Sequence, residues 1–248
     1  MQPHFTARLY LQDAYCFEAG ATIIAVRDDS LAFDRTCFYP GGGGQPPDEG
    51  FVRLQRGEQL AIISVGAGID GILWHIVESP PPDILGQPVL LVLNRERRLA
   101  LMRYHTALHI LNTITLRDHG GWITGVQIGT EHSRIDFKLA DFSQALAAEL
   151  ERKVNAVLEE NHAVKSFYIP EQEFRRRDDL LRTLEAQPPV IDGEVRVVEI
   201  EGFDAQACGG THVHTTSEVG KFSITRTENK GKINKRLYVR LGQPPSRT

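Results

Sequence analysis

The 248-residue sequence contains little of several features that mark particular protein classes. Its three cysteines, Cys16, Cys37 and Cys208, are too few and odd in number for a disulfide framework, which leaves packing, metal binding or reactivity as their uses. No apolar run approaches the roughly 18 residues that a membrane span needs, and the polar beginning lacks the regions of a signal peptide. We therefore expect a cytoplasmic protein with no membrane partner and no obligate protein partner.

What is present is typical of a folded globular chain, with 41% hydrophobic, 24% charged and 8% aromatic residues. This composition excludes a disordered or collagen-like protein. The length predicts one large domain or two modest ones. The net charge of −4 argues against indiscriminate nucleic-acid binding.

The charge is unevenly distributed along the chain. Residues 219–248 hold eight basic side chains against Glu228 alone, so this tail carries +7 and, since the whole chain carries −4, the rest carries −11. Such segregation is expected when one face meets an anionic polymer, although a solvated basic end is the alternative. The candidate contacts to nucleic-acid phosphates are Lys230, Lys232, Lys235 and Arg236.

Hydrophobic periodicity predicts a first domain over residues 1–93. This part reads as short β-branched strands separated by Gly, Pro and Asp, at 18–26, 31–38, 51–54, 59–65, 72–77 and 89–93. The pattern favours a small antiparallel β-barrel, with a sandwich as the alternative.

The second domain is predicted over residues 94–248. Asn94 is a candidate N-cap for a long helix over 95–118, which Gly120-Gly121 would end. Further helices are predicted at 143–161 and 170–184, and strands at 124–128, 134–138, 164–169, 195–200, 221–227 and 236–241. Helices packed on a mostly antiparallel sheet make an α+β domain, so the whole chain is assigned to the α+β class.

Two pairs of metal-ligating residues lie in this second domain. His105 and His109 stand four apart on the long helix, so their imidazoles project from one face. Cys208 and His212 enclose two glycines, which would let the backbone turn so that thiolate and imidazole converge. One Cys and three His form a ligand set that suits one zinc ion per chain. His214 is a rival ligand. It lies two residues after His212 in an extended segment, however, so the backbone would have to change its course to bring the His214 imidazole to the same metal ion.

The residues around the first pair restrict the chemistry. Metalloproteases of the His-Glu-x-x-His kind place a carboxylate general base beside the first histidine, whereas this chain has Thr106 there. Peptide hydrolysis is therefore not expected. A zinc site without a neighbouring carboxylate suits the hydrolysis of an easier bond, such as that of an activated ester.

Four stretches together resemble the stand-alone alanyl-tRNA editing proteins of the AlaX type, which are related to the editing domain of alanyl-tRNA synthetase. They are His105-Thr-Ala-Leu-His109, Gln127-Ile-Gly129-Thr130 with Arg134-Ile-Asp136-Phe137, Ala207-Cys-Gly-Gly-Thr-His212, and Gly42-Gly43-Gly44-Gln45. They occur in family order and cover nearly the whole chain, whose length is similar to that of the medium-sized class.

The resemblance implies a zinc-dependent deacylase that acts in trans on alanine tRNA mischarged with serine or glycine. A second site is needed because a pocket fitted to alanine discriminates against one methyl group or one hydroxyl by only ~10–200-fold. The resemblance also implies that Gln127, with Thr124 as a weaker candidate on the same strand, selects for the serine hydroxyl. Strand alternation places these two on opposite faces unless the strand bulges.

Two further assignments come from the resemblance. The synthetase domain commonly has threonine before the second zinc histidine, where this chain has Leu108, and Thr106 is the nearest substitute hydroxyl. The glycine motif Gly42, Gly43, Gly44 and Gln45 lies in the family beside the editing site, where it would approach the terminal adenosine or phosphates. Composition alone favours a flexible turn there.

Two alternatives to an editing hydrolase stay open at this point. One is a zinc hydrolase of small aminoacyl esters or thioesters that does not use tRNA. The other is a structural zinc module that binds tRNA without catalysis, because zinc with four protein ligands is normally closed.

Overall fold

The fold was analysed in a computed structural model of the chain, which describes residues 5–68, 71–140, 142–183 and 187–243. The chain divides into two compact units. The first comprises residues 1–42 and 46–99, and the second comprises 43–45 and 100–248. The predicted boundary at 93/94 lies before the long helix, whereas this division falls within it, because its first turn packs with the barrel.

The first unit is a closed antiparallel barrel, as predicted. Two short elements precede it, β1 (Ala7–Arg8) and α1 (Leu9–Gln12), and neither was expected from the sequence. The later strands are β2 (Glu18–Arg27), β3 (Ser30–Phe33), β4 (Arg35–Thr36), β5 (Gly50–Arg53), β6 (Gln59–Ala67), β7 (Leu73–Val77) and β8 (Pro88–Leu93). The barrel follows the order β2-β3-β7-β6-β5-β8, and β4 pairs with β1 in parallel outside it.

Alternating side chains fill the barrel. Fully buried members of its core include Ile23, Phe33, Leu73 and Leu91, which come from four different strands. A buried ion pair supplements this apolar core, since Arg98 Nε donates to both carboxylate oxygens of Asp48 at 3.0 and 3.1 Å. The pair explains why residue 98 belongs to the barrel unit although it lies on the following helix.

The second unit contains helices and antiparallel sheets, which confirms the α+β prediction. The helices are α2 (Arg95–His119), whose Ala100–His119 part belongs here, α3 (Gln144–Glu159) and the short α4 (Glu171–Phe174). The strands are β9 (Trp122–Gln127), β10 (Ser133–Lys138), β11 (Val164–Pro170), β12 (Val190–Ile191), β13 (Glu194–Ile200), β14 (Asp204–Ala207), β15 (Phe222–Asn229) and β16 (Asn234–Leu241). One sheet has the order β15-β16-β10-β9, and the other has β11-β13-β12 with β14 also on β13.

Both long helices begin with a capping side chain, and α2 begins and ends at the residues expected from the sequence. The Asn94 side chain accepts a hydrogen bond from Arg97 N at 3.1 Å, and Ser143 does the same for Leu146 N. Gly120, with φ of 66°, ends α2. No helix within the described ranges is long and apolar enough to cross a membrane.

The predicted helix over 170–184 is wrong. Pro170 ends β11, α4 stops at Phe174, and only a 3₁₀ turn at Asp178–Leu180 follows. Tertiary contacts prevent a continuous helix, because Ile123 N donates to the carbonyl of Arg182 and Ile123 forms a bridge with Thr183. Leu184 lies outside the described residues.

Candidate metal centre

Four metal-ligating side chains meet in the second unit: His105, His109, Cys208 and His212. Each offers one ligand atom, and these four atoms lie within 4.8 Å of one another. Cys208 Sγ is 3.5 Å from His105 Nε2 and 3.4 Å from His212 Nε2. The three imidazole centroids are 4.3–4.9 Å apart. The cluster can bind a metal ion.

Helical geometry positions the first two ligands. His105 and His109 lie one turn apart on α2, in a segment whose neighbours Ala107, Leu108 and Ile110 are buried. The helix therefore holds both rings inside the unit, where water cannot compete for their lone pairs.

The loop after β14 supplies the other two ligands by close packing rather than by unusual backbone angles. A Cβ atom on Gly210 would lie 2.2 Å from His105 Cε1, so only glycine fits there. Arg196 Nη1 donates to the carbonyls of Cys208 and Gly210 at 3.0 and 2.9 Å. The expectation that the two glycines supply turning freedom is thus replaced by a steric reason.

Burial determines the protonation of the cluster. It lowers the pKa of His105 to about 3, with the positive charge of Arg196 contributing, and it lowers the pKa values of His109 and His212 well below 6.5. The imidazoles are therefore neutral at pH 7 and hold free lone pairs. Burial raises the pKa of the Cys208 thiol, so a cation that binds there displaces a proton.

Two other predicted site residues lie directly behind the cluster. Thr106 is fully buried, with Oγ1 3.1 Å from His212 Nδ1, and it accepts a hydrogen bond from Val213 N at 3.3 Å. Gln45 is 2% exposed and contacts His105 Nδ1 at 2.8 Å. Both reach the outer nitrogen of a ligand ring rather than the space between the rings. His214, the rival ligand, is exposed.

Gln127 lines a cleft of about 470 Å³, and its Oε1 accepts a hydrogen bond from Arg134 Nε at 2.7 Å. The cleft is formed by Gln127, Gly129, Thr130, Glu131, His132, Arg134, Arg236 and Tyr238. Thr124 is exposed at a bulge of β9 and donates to Asn234 Oδ1 at 2.8 Å.

Two sets of contacts join the cleft region to the metal cluster. Gly44 O accepts from Ile128 N at 2.8 Å, and the next residue, Gln45, contacts His105. Tyr104, which precedes His105, donates its hydroxyl to the carbonyl of Glu131 at 2.6 Å. The end of β9 and the turn after it are therefore anchored beside the cluster.

The glycine motif is divided between the two units. Gly42 belongs to the first unit, where its carbonyl accepts from Tyr39 Oη at 3.0 Å. Gly43 and Gly44 belong to the second unit and have φ values of 57° and 84°. A Cβ atom on Gly44 would lie 2.7 Å from the side chain of Val126, so both conformation and space require glycine there.

The four basic residues predicted to bind phosphates differ in their exposure and in their ion pairs. Lys235 is 7% exposed and its Nζ donates to the carbonyls of Gly231 and Lys232. Arg236 forms a two-pronged pair with Asp136 at 2.7 Å, and Lys230 lies 3.1 Å from Glu228. Lys232 is exposed and has no ion pair within the described residues. Arg247, counted in the basic tail, lies outside them.

Sequence reasoning missed two supporting groups. Arg196 holds the ligand loop, and its only signal was a basic residue inside an apolar strand pattern. Gln206 connects Asn112 Nδ2, at 3.0 Å, with the carbonyl of His109, at 3.4 Å. No local motif marks such a buried amide, because its partners are about a hundred residues away.

The fold and the cluster define a two-unit protein with a His₃Cys metal-binding centre beside a polar cleft. A family model described as "Threonyl and Alanyl tRNA synthetase second additional domain" matches residues 195–238. The chain is 38% identical over 245 residues to the alanyl-tRNA editing protein AlaX-M of Methanosarcina acetivorans. The alignment covers 95% of this chain and 99% of that protein. It therefore belongs to the family of alanyl-tRNA editing proteins AlaX-M.

More distant members and larger proteins show the same similarity. AlaX-M of Saccharolobus solfataricus is 33% identical over 233 residues, which is 94% of this chain and 98% of that protein. The alanine–tRNA ligase of Korarchaeum cryptofilum is 38% identical over 224 residues, which is 89% of this chain and 24% of the ligase. The chain thus matches a limited part of the ligase.

Proposed function

We propose that the protein is a trans-editing hydrolase that removes serine or glycine from mischarged alanine tRNA at one zinc ion. The observation that carries this proposal is the buried His₃Cys cluster in a chain that aligns along its length with proteins named alanyl-tRNA editing protein. Family membership supports the substrate, and the cluster supports a metal-assisted reaction.

The donor set favours zinc. Tetrahedral donors that bond zinc at 2.0–2.3 Å are separated by about 3.5 Å, and the Cys208 Sγ distances to His105 Nε2 and His212 Nε2 are 3.5 and 3.4 Å. Three neutral imidazoles and one thiolate suit zinc better than the oxygen-preferring cations.

The reaction is the hydrolysis of an ester. The water oxygen joins the carbonyl carbon, the bond from that carbon to the ribose oxygen breaks, and the two water protons end on the carboxyl product and the ribose hydroxyl. When bound, zinc supplies a Lewis acid for this chemistry. The residues of the chain bind and orient the acylated end.

Gln127 is proposed to recognise the serine hydroxyl. Its Oε1 is occupied by Arg134, which orients the amide so that Nε2 remains as a hydrogen-bond donor. A serine hydroxyl can accept that bond in place of water, whereas the methyl group of alanine cannot. Thr124, bonded to Asn234, is a weaker candidate for this role, and Thr106 is proposed to orient His212.

The cleft beside the cluster is proposed to receive the 3′ end of the tRNA. Arg134 provides positive charge for a phosphate, and Tyr238 provides an aromatic face for a base. The exposed Lys232 is proposed to contact phosphates farther along the tRNA.

The test is amino-acid release from alanine tRNA charged with serine, glycine or alanine, with and without a zinc chelator. We expect rapid release of serine or glycine, slow release of alanine, and loss of release after chelation. Cys208→Ala should lose zinc and activity together, whereas the control Cys16→Ala, which removes a thiol outside the cluster, should retain both.

Three results would contradict the proposal. Full activity of the metal-free protein would exclude a zinc-dependent reaction. Equal hydrolysis of a small aminoacyl ester without tRNA would indicate the small-ester alternative. Zinc and tRNA binding without release of any amino acid would indicate a non-catalytic module.

A further inference from the structure

We propose that Gln45 is a positioning residue for the metal centre, which fixes the tautomer and orientation of His105 so that Nε2 faces the metal. This inference rests on the proposed function insofar as it takes the cluster to hold a metal ion. It gives the last residue of the glycine motif a role in metal binding rather than in contact with tRNA.

The Gln45 amide is held by three hydrogen bonds inside the second unit. Its Oε1 lies 2.8 Å from His105 Nδ1 and accepts from Thr211 N at 3.1 Å. Its Nε2 donates to Thr211 Oγ1 at 2.8 Å. Gln45 is 2% exposed and Thr211 is fully buried, so water does not compete for these bonds.

These contacts determine which nitrogen of His105 carries the proton. The backbone N–H of Thr211 can only donate, so the Gln45 atom that faces it must be the oxygen. The same oxygen faces His105 Nδ1, which must therefore be protonated. With the proton on Nδ1, Nε2 is the ring nitrogen left to bind a metal ion, and Nε2 is the atom 3.5 Å from Cys208 Sγ.

The other two ligand rings are held differently. His212 Nδ1 faces the Thr106 hydroxyl, which can donate or accept and so does not fix a tautomer. His109 Nδ1 has no hydrogen-bond partner in the described ranges. Among the three imidazoles, His105 therefore has the most fully specified orientation, and Gln45 supplies that specification.

The backbone around Gln45 is closely packed at two glycines. A Cβ atom on Gly210 would lie 2.6 Å from His105 Nδ1 and 3.0 Å from Gln45 Oε1. Gly44 presses against Val126, and its carbonyl is bonded to Ile128 N. The adjacent glycine thus allows the backbone to approach β9 closely enough to deliver the Gln45 amide to His105.

The experiment measures zinc affinity by competition with a chromophoric chelator in Gln45→Ala, Gln45→Glu and Thr211→Val. Loss of an outer partner of a metal-bound histidine typically weakens metal binding 10–100-fold, which is the loss expected for Gln45→Ala. Gln45→Glu should retain or exceed wild-type affinity, because a carboxylate also accepts from Nδ1–H. Thr211→Val, which removes one anchor of the amide, should give a smaller loss.

Asn155→Ala is the matched control. The Asn155 amide bonds the backbone of Phe222 in the same unit and belongs to α3, so its loss should lower stability without changing zinc affinity. The absorption spectrum of the cobalt-substituted protein gives a second readout, in which Gln45→Ala should change the ligand-field bands and Asn155→Ala should not.

The outcomes separate this inference from the proposed function. A wild-type protein that binds no zinc would contradict the proposed function. A zinc-binding wild type with unchanged affinity and cobalt spectrum in Gln45→Ala would overturn the role of Gln45. Equal losses in Gln45→Ala and Gln45→Glu would also overturn it, because a packing role would explain them. If Gln45→Ala does not fold, an unchanged zinc affinity in Thr211→Val would overturn the role of Gln45 instead.

Discussion

The fully buried His75 gives the barrel a pH-dependent stability that can be calculated. His75 lies on β7, with Nε2 2.8 Å from Thr36 Oγ1 and its ring in T-shaped contact with the rings of Phe33 and Phe38. Burial lowers its pKa from 6.5 to about 4. The folded state therefore keeps this imidazole neutral at pH values where the unfolded chain protonates it.

The sign and size follow from proton linkage. The unfolded state binds more protons below pH 6.5, so His75 lowers the free energy of unfolding as the pH falls from 6.5 towards 4. At about 1.36 kcal/mol per pKa unit, the loss is about 2 kcal/mol at pH 5 and approaches about 3.4 kcal/mol below pH 4. The contribution of His75 to the free energy of unfolding is thus fully present only above pH 6.5.

The assay compares the wild type with His75→Gln by urea unfolding between pH 5 and 7.5. Both chains carry Trp122→Phe, so that Trp74, beside His75 on β7, reports the barrel alone. The difference in free energy of unfolding between the two should shrink by about 2 kcal/mol from pH 7.5 to pH 5. Val65→Ala, at the cross-strand position of His75, is the control whose difference should not vary with pH. A constant difference for His75→Gln would refute the reasoning.

Three further results are expected. Gln127→Ala should slow release of serine from mischarged tRNA by about 10²–10³-fold at unchanged zinc content, as measured by single-turnover deacylation. Lys232→Ser should flatten the slope of log K against log salt for tRNA binding by about 0.7–0.9, whereas an unchanged slope would show that tRNA binds elsewhere. Asp48→Ala, which leaves Arg98 buried and unpaired, should destabilise the barrel by about 3–5 kcal/mol in denaturant unfolding, and the double variant with Arg98→Met should recover part of that loss.

Much of the fold could be predicted because its signals are local. Period-two patterns marked the six barrel strands within a few residues, and the capping residue Asn94 marked the start of the long helix. The segment 170–184 was predicted wrongly because its helix-favouring composition is overridden by pairing of Arg182 and Thr183 with β9. Sequence patterns carry no information about such a partner 60 residues away.

The same distinction applies to the metal centre. The spacing of His105 with His109, and of Cys208 with His212, is readable because each pair is close in sequence. The partner of His105 is Gln45, which lies 60 residues earlier and in a glycine-rich stretch that composition assigns to a flexible turn. Only the fold shows that this turn enters the second unit and that its amide is buried.

In the basic tail, the net charge overestimates the number of cations that can bind tRNA phosphates. Arg226 and Lys230 both pair with Glu228, Arg236 pairs with Asp136, and the buried Lys235 binds carbonyl oxygens. The other tail cations in the described part of the chain are Lys221, Lys232 and Arg240, which are exposed and have no ion pair. Only cations that are free to contact phosphates release counterions, so the tail should contribute about three phosphate contacts. The slope of log K against log salt from the tail should therefore be about −2 to −3. A charge of +7 would instead suggest about −5 to −6. Local carboxylates, and not the net charge of the segment, therefore determine how strongly this end of the chain can attract tRNA.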